Sequence, residues 1–344
     1  MKCHRMLSKF SSKLLVHVAL VLAFVLGYWS GFLLNEDFCY ESCCRQRLKT
    51  FQEKREKLEL FDKKTTFLVV MIMTGPGNRE QRRAMRETWL QLAQDRPILH
   101  YFIIGTADLD QSRLKGLQEE YKHYGDLVLL RSHNDSYRQL SSKLLSSLRW
   151  LQRNINFKFL LKADDDTFAR LDLIYSRLLN QPPRKFYWGY FDGRARVHRK
   201  GKWAEKEWNL CDHYLPHALG GGYVLSSDLV DYVANNAALL KAYRSEDVSL
   251  GAWLAPLDIE RRHDIDFDTE YMSRGCLNSY LVTHKQSSKQ MREKHRNLQR
   301  HRVICPSQFE TRSPYNYNWA VPPSKCCIPG FNLSETRMHI SPIS

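Results

Sequence analysis

Three adjacent carboxylates, Asp164, Asp165 and Asp166, close the largely apolar run Phe157 to Ala163. Like charges this close need a compensating cation, and a divalent ion with oxygen preference (Mg²⁺ or Mn²⁺) that also carries substrate phosphates is the commonest partner. If the run is a strand of an open α/β sheet, the acids sit outside its carboxyl end, where such sheets bind ligands. A solvated acidic turn is the plain alternative. His284 ends the run Tyr280 to Thr283 and is a candidate metal ligand beside the carboxylates. Glu246 and Asp247 stand together at what reads as a helix start, a placement that the helix dipole alone also favours. Gly220, Gly221 and Gly222 precede a further strand and permit either close backbone approach to a ligand or a tight turn.

Two more groups of residues have chemistry to offer. Arg79, Arg83 and Arg86 are spaced so that at least two share a helix face, where they can meet phosphate or simply face solvent. Residues 191 to 216 carry Trp203, Trp208, His213 and Tyr214 among many charges, a composition suited to stacking on sugar rings or to an aromatic core. The loop Thr74-Gly75-Pro76-Gly77 is not a GxxxxGK[ST] phosphate loop.

The elements that must position these residues alternate. Thr66 to Met73, Ile98 to Gly105, Asp126 to Leu130 and the run into Asp164 read as strands. Residues 78 to 93, Gln111 to Tyr124, Leu140 to Arg153 and Asp172 to Leu179 read as helices. This order predicts an α/β sandwich with a mainly parallel sheet. Phe186 to Tyr190 and the stretch after Gly222 add strands. Lys285 to Arg302 reads as a solvated basic segment.

The chain has 344 residues, 43% of them hydrophobic, enough for a substantial core and unlike a disordered protein. Its net charge of +15 suits nucleic acid, an anionic membrane or an acidic substrate, without choosing among them. Leu14 to Leu34 contains no formal charge and is long enough to cross roughly 30 Å of hydrocarbon as a helix. Lys2, Arg5, Lys9 and Lys13 precede it and Glu36 and Asp37 follow, so the expected topology is a cytosolic tail (1–13), a signal-anchor in the bilayer (14–34) and everything else across the membrane. A charged, helical stem (35–65), a folded domain (66–330) and a flexible C-terminal tail (331–344) complete the expected organisation. On this topology nucleic acid is excluded as a partner. Of the nine cysteines, all but Cys3 then lie where disulfides persist, with connectivity left open. The sequons at Asn134 and Asn332 are compatible with that compartment.

The ordered set RRAMRETW (82–89), YGDLVLL with DSY and a later lysine (124–143), KADDDTF (162–168), GGGYVLSSDL (220–229) and EDVSLG (246–251) resembles the β-1,3-glycosyltransferases of the GT31 type over residues 66 to 330. The later half is most similar to members that build the proteoglycan linker. The resemblance implies a GT-A fold, preceded by a single membrane helix and stem, in a type II protein of the Golgi membrane. It implies inverting transfer of galactose from UDP-galactose, with Mn²⁺, to the 3-hydroxyl of galactose in a Galβ1-4Xyl acceptor, in support of glycosaminoglycan synthesis. A homodimer, or a complex with other linker enzymes, fits this reading. By motif position, Asp247 is the base and Glu246 shapes its pocket. Asp166, with His284 and Asp164, holds the metal, and Asp164 and Asp165 place ribose and metal water. Thr74, Arg79, Arg83, Lys143, Gly221 and Gly222 fall on the UDP-sugar side, and Trp203, Trp208 and Tyr214 on the acceptor side. This chain departs from the family at NDSYRQLSSKLL (134–145), where a fuller N-L-T after the tyrosine is usual. Related enzymes use GlcNAc or GalNAc donors. A haloacid-type phosphatase would need Thr or Val where Phe168 stands, and a membrane-anchored lectin gives no reason for the paired acid clusters.

Overall fold

The run Leu68–Met73 carries no polar side chain, and all six residues are buried in the computed structural model, as a strand covered on both faces requires. This strand, β1, is central to a seven-stranded sheet. The structure describes residues 63–201 and 204–327; the run 14–34, nearly all of the stem, Trp203, Asn332 and the tail lie outside them. Among the described residues no helix is long and apolar enough to cross a membrane.

On one side of β1 lie β2 (Ile98–Gly105) and then β3 (Leu127–Leu130); on the other lies β4 (Phe159–Asp164), and all pair parallel. Sheet growth therefore reverses direction between β1 and β4, and the crevice at their carboxyl ends is the place where such sheets take ligands. Met73 pairs with Asp164, so Thr74 and the acid triplet emerge side by side. The remaining strands are β5 (Phe186–Asp192), β6 (His217–Ser226) and β7 (Glu260–His263), giving the order β7-β5-β6-β4-β1-β2-β3. The sheet is mixed and mostly parallel: β6 runs antiparallel to β4 and β5. That reversal sets the first residues of β6 against the last of β4, with Gly222 opposite Ala163.

The helices are α1 (Arg79–Glu87), α2 (Gln111–Tyr124), α3 (Leu140–Asn154), α4 (Leu171–Leu178), α5 (Ser227–Asn235), α6 (Glu246–Leu254) and α7 (Ser288–His301). The single helix expected over 78 to 93 is divided. α1 stops at Glu87, the Thr88 hydroxyl donates to the Ala84 carbonyl at 2.6 Å, and Trp89–Ala93 continues as a 3-10 turn. The basic segment 285 to 302 is not merely solvated chain. Ser287 and Gln290 form a capping box, and α7 buries Met291, Lys294 and His295 while Lys289, Arg296 and Arg300 are exposed. A small sheet joins Phe168–Ala169, Val282–Thr283 and Phe267–Asp268, with Thr283 opposite Phe168, which carries His284 to the acid triplet. Cys276 bonds to Cys305 and Cys326 to Cys327, while Cys211 is exposed and free.

Arg82 is fully buried and grips Glu120 with two hydrogen bonds of 2.9 and 2.8 Å, while its third nitrogen donates to the Gly75 carbonyl at 2.7 Å. Removing one side of a buried pair leaves the other uncompensated. Arg82→Ala should therefore lower unfolding stability by about 3 kcal/mol, toward the low end for buried pairs because Arg86 also reaches Glu120. Arg83→Ala, whose partner Glu87 is exposed, should leave the denaturation midpoint near that of the native protein.

Candidate active site

The three carboxylates diverge: Asp164 ends β4, and Asp165 and Asp166 form the turn that follows it. Asp164 and Asp166 face His284, and one ligand atom from each lies within 4.8 Å of the other two. The His284 Nε2 atom is 2.9 Å from Asp166 Oδ1 and 3.5 Å from Asp164 Oδ2, yet neither ring nitrogen makes a well-aligned hydrogen bond. A buried imidazole aimed between two carboxylate oxygens, with its own bonding capacity unspent, fits an N/O-coordinated divalent cation. Burial works against the imidazolium, but the two carboxylates outweigh it and push the His284 pKa up to about 9. Asp165 turns away and accepts from the Thr74 hydroxyl at 2.6 Å and the Asn78 amide at 2.7 Å, with burial raising its pKa. It braces the loop after β1, and the expected role of Asp165 in placing metal water has no support in this orientation.

The opposite wall is the start of α6. The Asp247 Oδ2 atom accepts from the Gly220 N–H at 3.0 Å, and its Oδ1 accepts from the Val248 N–H at 2.8 Å. Between the walls lies Lys162, its side chain 1% exposed, donating to Asp164 Oδ1 at 2.8 Å, to Glu246 Oε1 at 2.6 Å and to the Gly220 carbonyl. Burial disfavours the ammonium, but Asp164 and Glu246 outweigh it and hold Lys162 charged; burial likewise opposes the Asp164 carboxylate, and Lys162 and His284 together outweigh it, keeping Asp164 well below the usual range. Asp164, His284, Glu246 and Asp247 all line one cleft of about 530 Å³, together with Tyr137 and Tyr214.

The glycines are there for contact distance. A Cβ on Gly220 would stand 2.7 Å from Glu246 Oε1, one on Gly221 2.6 Å from the His284 ring, and one on Gly222 2.8 Å from Val282. Close approach, not a turn, is their use.

Several other expected site residues are placed differently. Lys143 is buried and donates to the Thr74 carbonyl at 2.7 Å and to Asp135, so it supports the loop from behind. Arg79 is exposed on the first turn of α1, and Arg83 pairs with Glu87 on the surface. The arginine that reaches the Gly75 loop is Arg82. Trp208 is fully buried, its indole donating to the Cys211 carbonyl at 2.9 Å, and it packs with Tyr214, Tyr243 and Val248 as core. Of the two described acceptor candidates Tyr214 lines the cleft and Trp208 does not; Trp203 lies outside the described residues. Lys162 is a site residue that the motifs alone do not single out. Its signal is the period of two, which puts it on the same face of β4 as Asp164.

Gly221→Ala should displace the His284 ring and weaken divalent-cation binding by about tenfold or more, measured by calorimetric titration. Gly77→Ala, which meets nothing within 4 Å, should bind as the native protein does.

A family model described as "Galactosyltransferase" matches residues 80–265. Beta-1,3-galactosyltransferase 6 of Mus musculus is 48% identical over 267 residues, covering 76% of this chain and 82% of that protein. UDP-GalNAc:beta-1,3-N-acetylgalactosaminyltransferase 2 of Homo sapiens is 39% identical over 150 residues, 43% of this chain and 30% of that one. Among solved structures, the mannosyltransferase PcManGT from Pyrobaculum calidifontis in complex with GDP-Man and Mn2+ aligns with a TM-score of 0.37 at 13% identity, over 67% of this chain and 62% of that chain. With the family model spanning more than half of the sequence and so close a relative along most of it, this chain belongs to the galactosyltransferase family.

Proposed function

We propose that the protein is an inverting β-1,3-galactosyltransferase of GT-A fold that moves galactose from UDP-galactose to the 3-hydroxyl of galactose in the Galβ1-4Xyl proteoglycan linker. The observation that carries this reading is that Asp164 and His284, two members of the cluster they form with Asp166, line the same cleft as Asp247. A donor diphosphate and an acceptor hydroxyl need those two kinds of group on opposite sides of one sugar. Asp164, Asp166 and His284 would hold Mn²⁺, which supplies positive charge against the departing diphosphate. Asp247 takes the proton of the acceptor hydroxyl as the new bond forms. Its two oxygens are oriented by the Gly220 and Val248 N–H groups, which fix the carboxylate between β6 and the first turn of α6. Glu246, held by Lys162, fills the floor beside it. The relative that is 48% identical supports a galactose donor and a β-1,3 linkage.

The apolar run 14–34, with cations before it and acids after it, supports a type II anchor in the Golgi membrane with the catalytic domain in the lumen. The accompanying roles in heparan and chondroitin sulfate synthesis follow from the linker acceptor. One competing reading has a specific observation behind it: 39% identity over 150 residues to an enzyme named for UDP-GalNAc keeps that donor in play.

Three measurements test this. The full chain, purified in detergent and offered UDP-galactose, UDP-GalNAc and UDP-GlcNAc with a galactosyl-xyloside, should turn over the first only, and only with Mn²⁺; metal-independent transfer overturns the mechanism. Asp247→Asn should lower kcat by about 100-fold or more while UDP affinity stays within twofold of native. In sealed microsomes, protease should spare the domain beyond residue 66 until detergent is added, and cleavage before that point would reverse the topology.

A further inference from the structure

Resting on the reading above, we infer that Lys162 is a positioning residue that locks the metal-binding wall and the base-bearing wall of the cleft into one unit. An ammonium has three N–H donors and no acceptor. Lys162 spends one each on Asp164 Oδ1, Glu246 Oε1 and the Gly220 carbonyl. Each bond has a separate consequence.

The bond to Asp164 occupies Oδ1 and leaves Oδ2 as the oxygen turned to His284. A metal ligand whose other oxygen is hydrogen-bonded is restrained in orientation, and outer partners of this kind set metal affinity. The bond to Gly220 acts at the far wall. The same residue that accepts from Lys162 through its carbonyl donates through its N–H to Asp247 Oδ2 at 3.0 Å. Gly220 has no room for a Cβ, which would stand 2.7 Å from Glu246 Oε1 and 3.2 Å from Asp247 Oδ2, so the start of α6 packs directly on the backbone there. The path from Asp164 through Lys162 and Gly220 to Asp247 therefore consists of short hydrogen bonds and rigid main chain. Glu246 completes the arrangement by meeting the third donor.

The test separates position from charge. Lys162→Met alone leaves Glu246 buried without its cation and can fail to fold. Lys162→Met/Glu246→Gln removes one positive and one negative charge, so the net charge of the site is unchanged, and Gln keeps the shape of Glu246. Both variants and the native full chain are titrated with Mn²⁺, the free ion being read by electron paramagnetic resonance, and their melting temperatures are measured alongside. We expect the native protein to bind Mn²⁺, and the double variant to melt within a few degrees of it but bind Mn²⁺ about tenfold or more weakly. At saturating Mn²⁺ its kcat should remain at least about tenfold down, because Gly220 and Asp247 are no longer held. Native Mn²⁺ affinity in the double variant reduces Lys162 to charge balance and overturns the inference. Absence of Mn²⁺ binding in the native protein overturns the metal reading itself, and the inference with it.

Discussion

Mutual repulsion among carboxylates is the constraint on which the rest of this structure depends. Asp164, Asp165, Asp166, Glu246 and Asp247 converge on the carboxyl end of one sheet, where a buried unpaired charge is severely penalised. Each has a partner. Lys162 faces Asp164 and Glu246, Thr74 and Asn78 receive Asp165, Lys285 approaches Asp166 at 3.0 Å, and the Gly220 N–H takes Asp247. His284 stands between the two acids that remain paired in space. The negative charge left facing the cleft is what a divalent cation with a diphosphate would use.

Sheet topology makes that convergence feasible. Parallel strands β1 and β4 deliver their carboxyl ends together, but a second wall requires backbone arriving from the other direction. The reversed strand β6 supplies it, and its three glycines let Glu246 and His284 come within contact of the main chain. The small three-stranded sheet closes the site by bringing a residue from position 284 beside one from position 166, and the Gln286 N–H donates to the Asp166 carbonyl at 2.7 Å.

Behind the cleft, the basic residues do different work from what net charge suggests. Arg82 and Arg86 are spent inside, on Glu120 and Asp126, where they fix α1 to α2 and the loop after β1. Lys143 is spent on Thr74 and Asp135. Part of the excess positive charge instead lies on the exposed Lys289, Arg296 and Arg300 of α7. A chain can thus be strongly basic while its site is governed by acids.

Local patterns in the sequence determined the alternation of strands and helices, the acid triplet at a strand end, the helix start at Glu246 and the apolar run near the N-terminus. These follow from periodicity, capping and charge spacing, which act over a few residues. The capping box that starts α7 was legible too, in Ser287 and Gln290, although the surrounding cations masked it. What only the tertiary structure decided is which side chains meet: that Arg82 and not Arg79 or Arg83 reaches the Gly75 loop, that Trp208 is core, that Asp165 leaves the cluster, and that Lys162 joins Asp164 to Glu246. The pairings of Lys162 with Glu246 and of Asp165 with Thr74 link residues scores of positions apart, and strand order and register, including the reversal of β6, select them. No short-range pattern encodes that choice, because it is made by packing around the whole sheet.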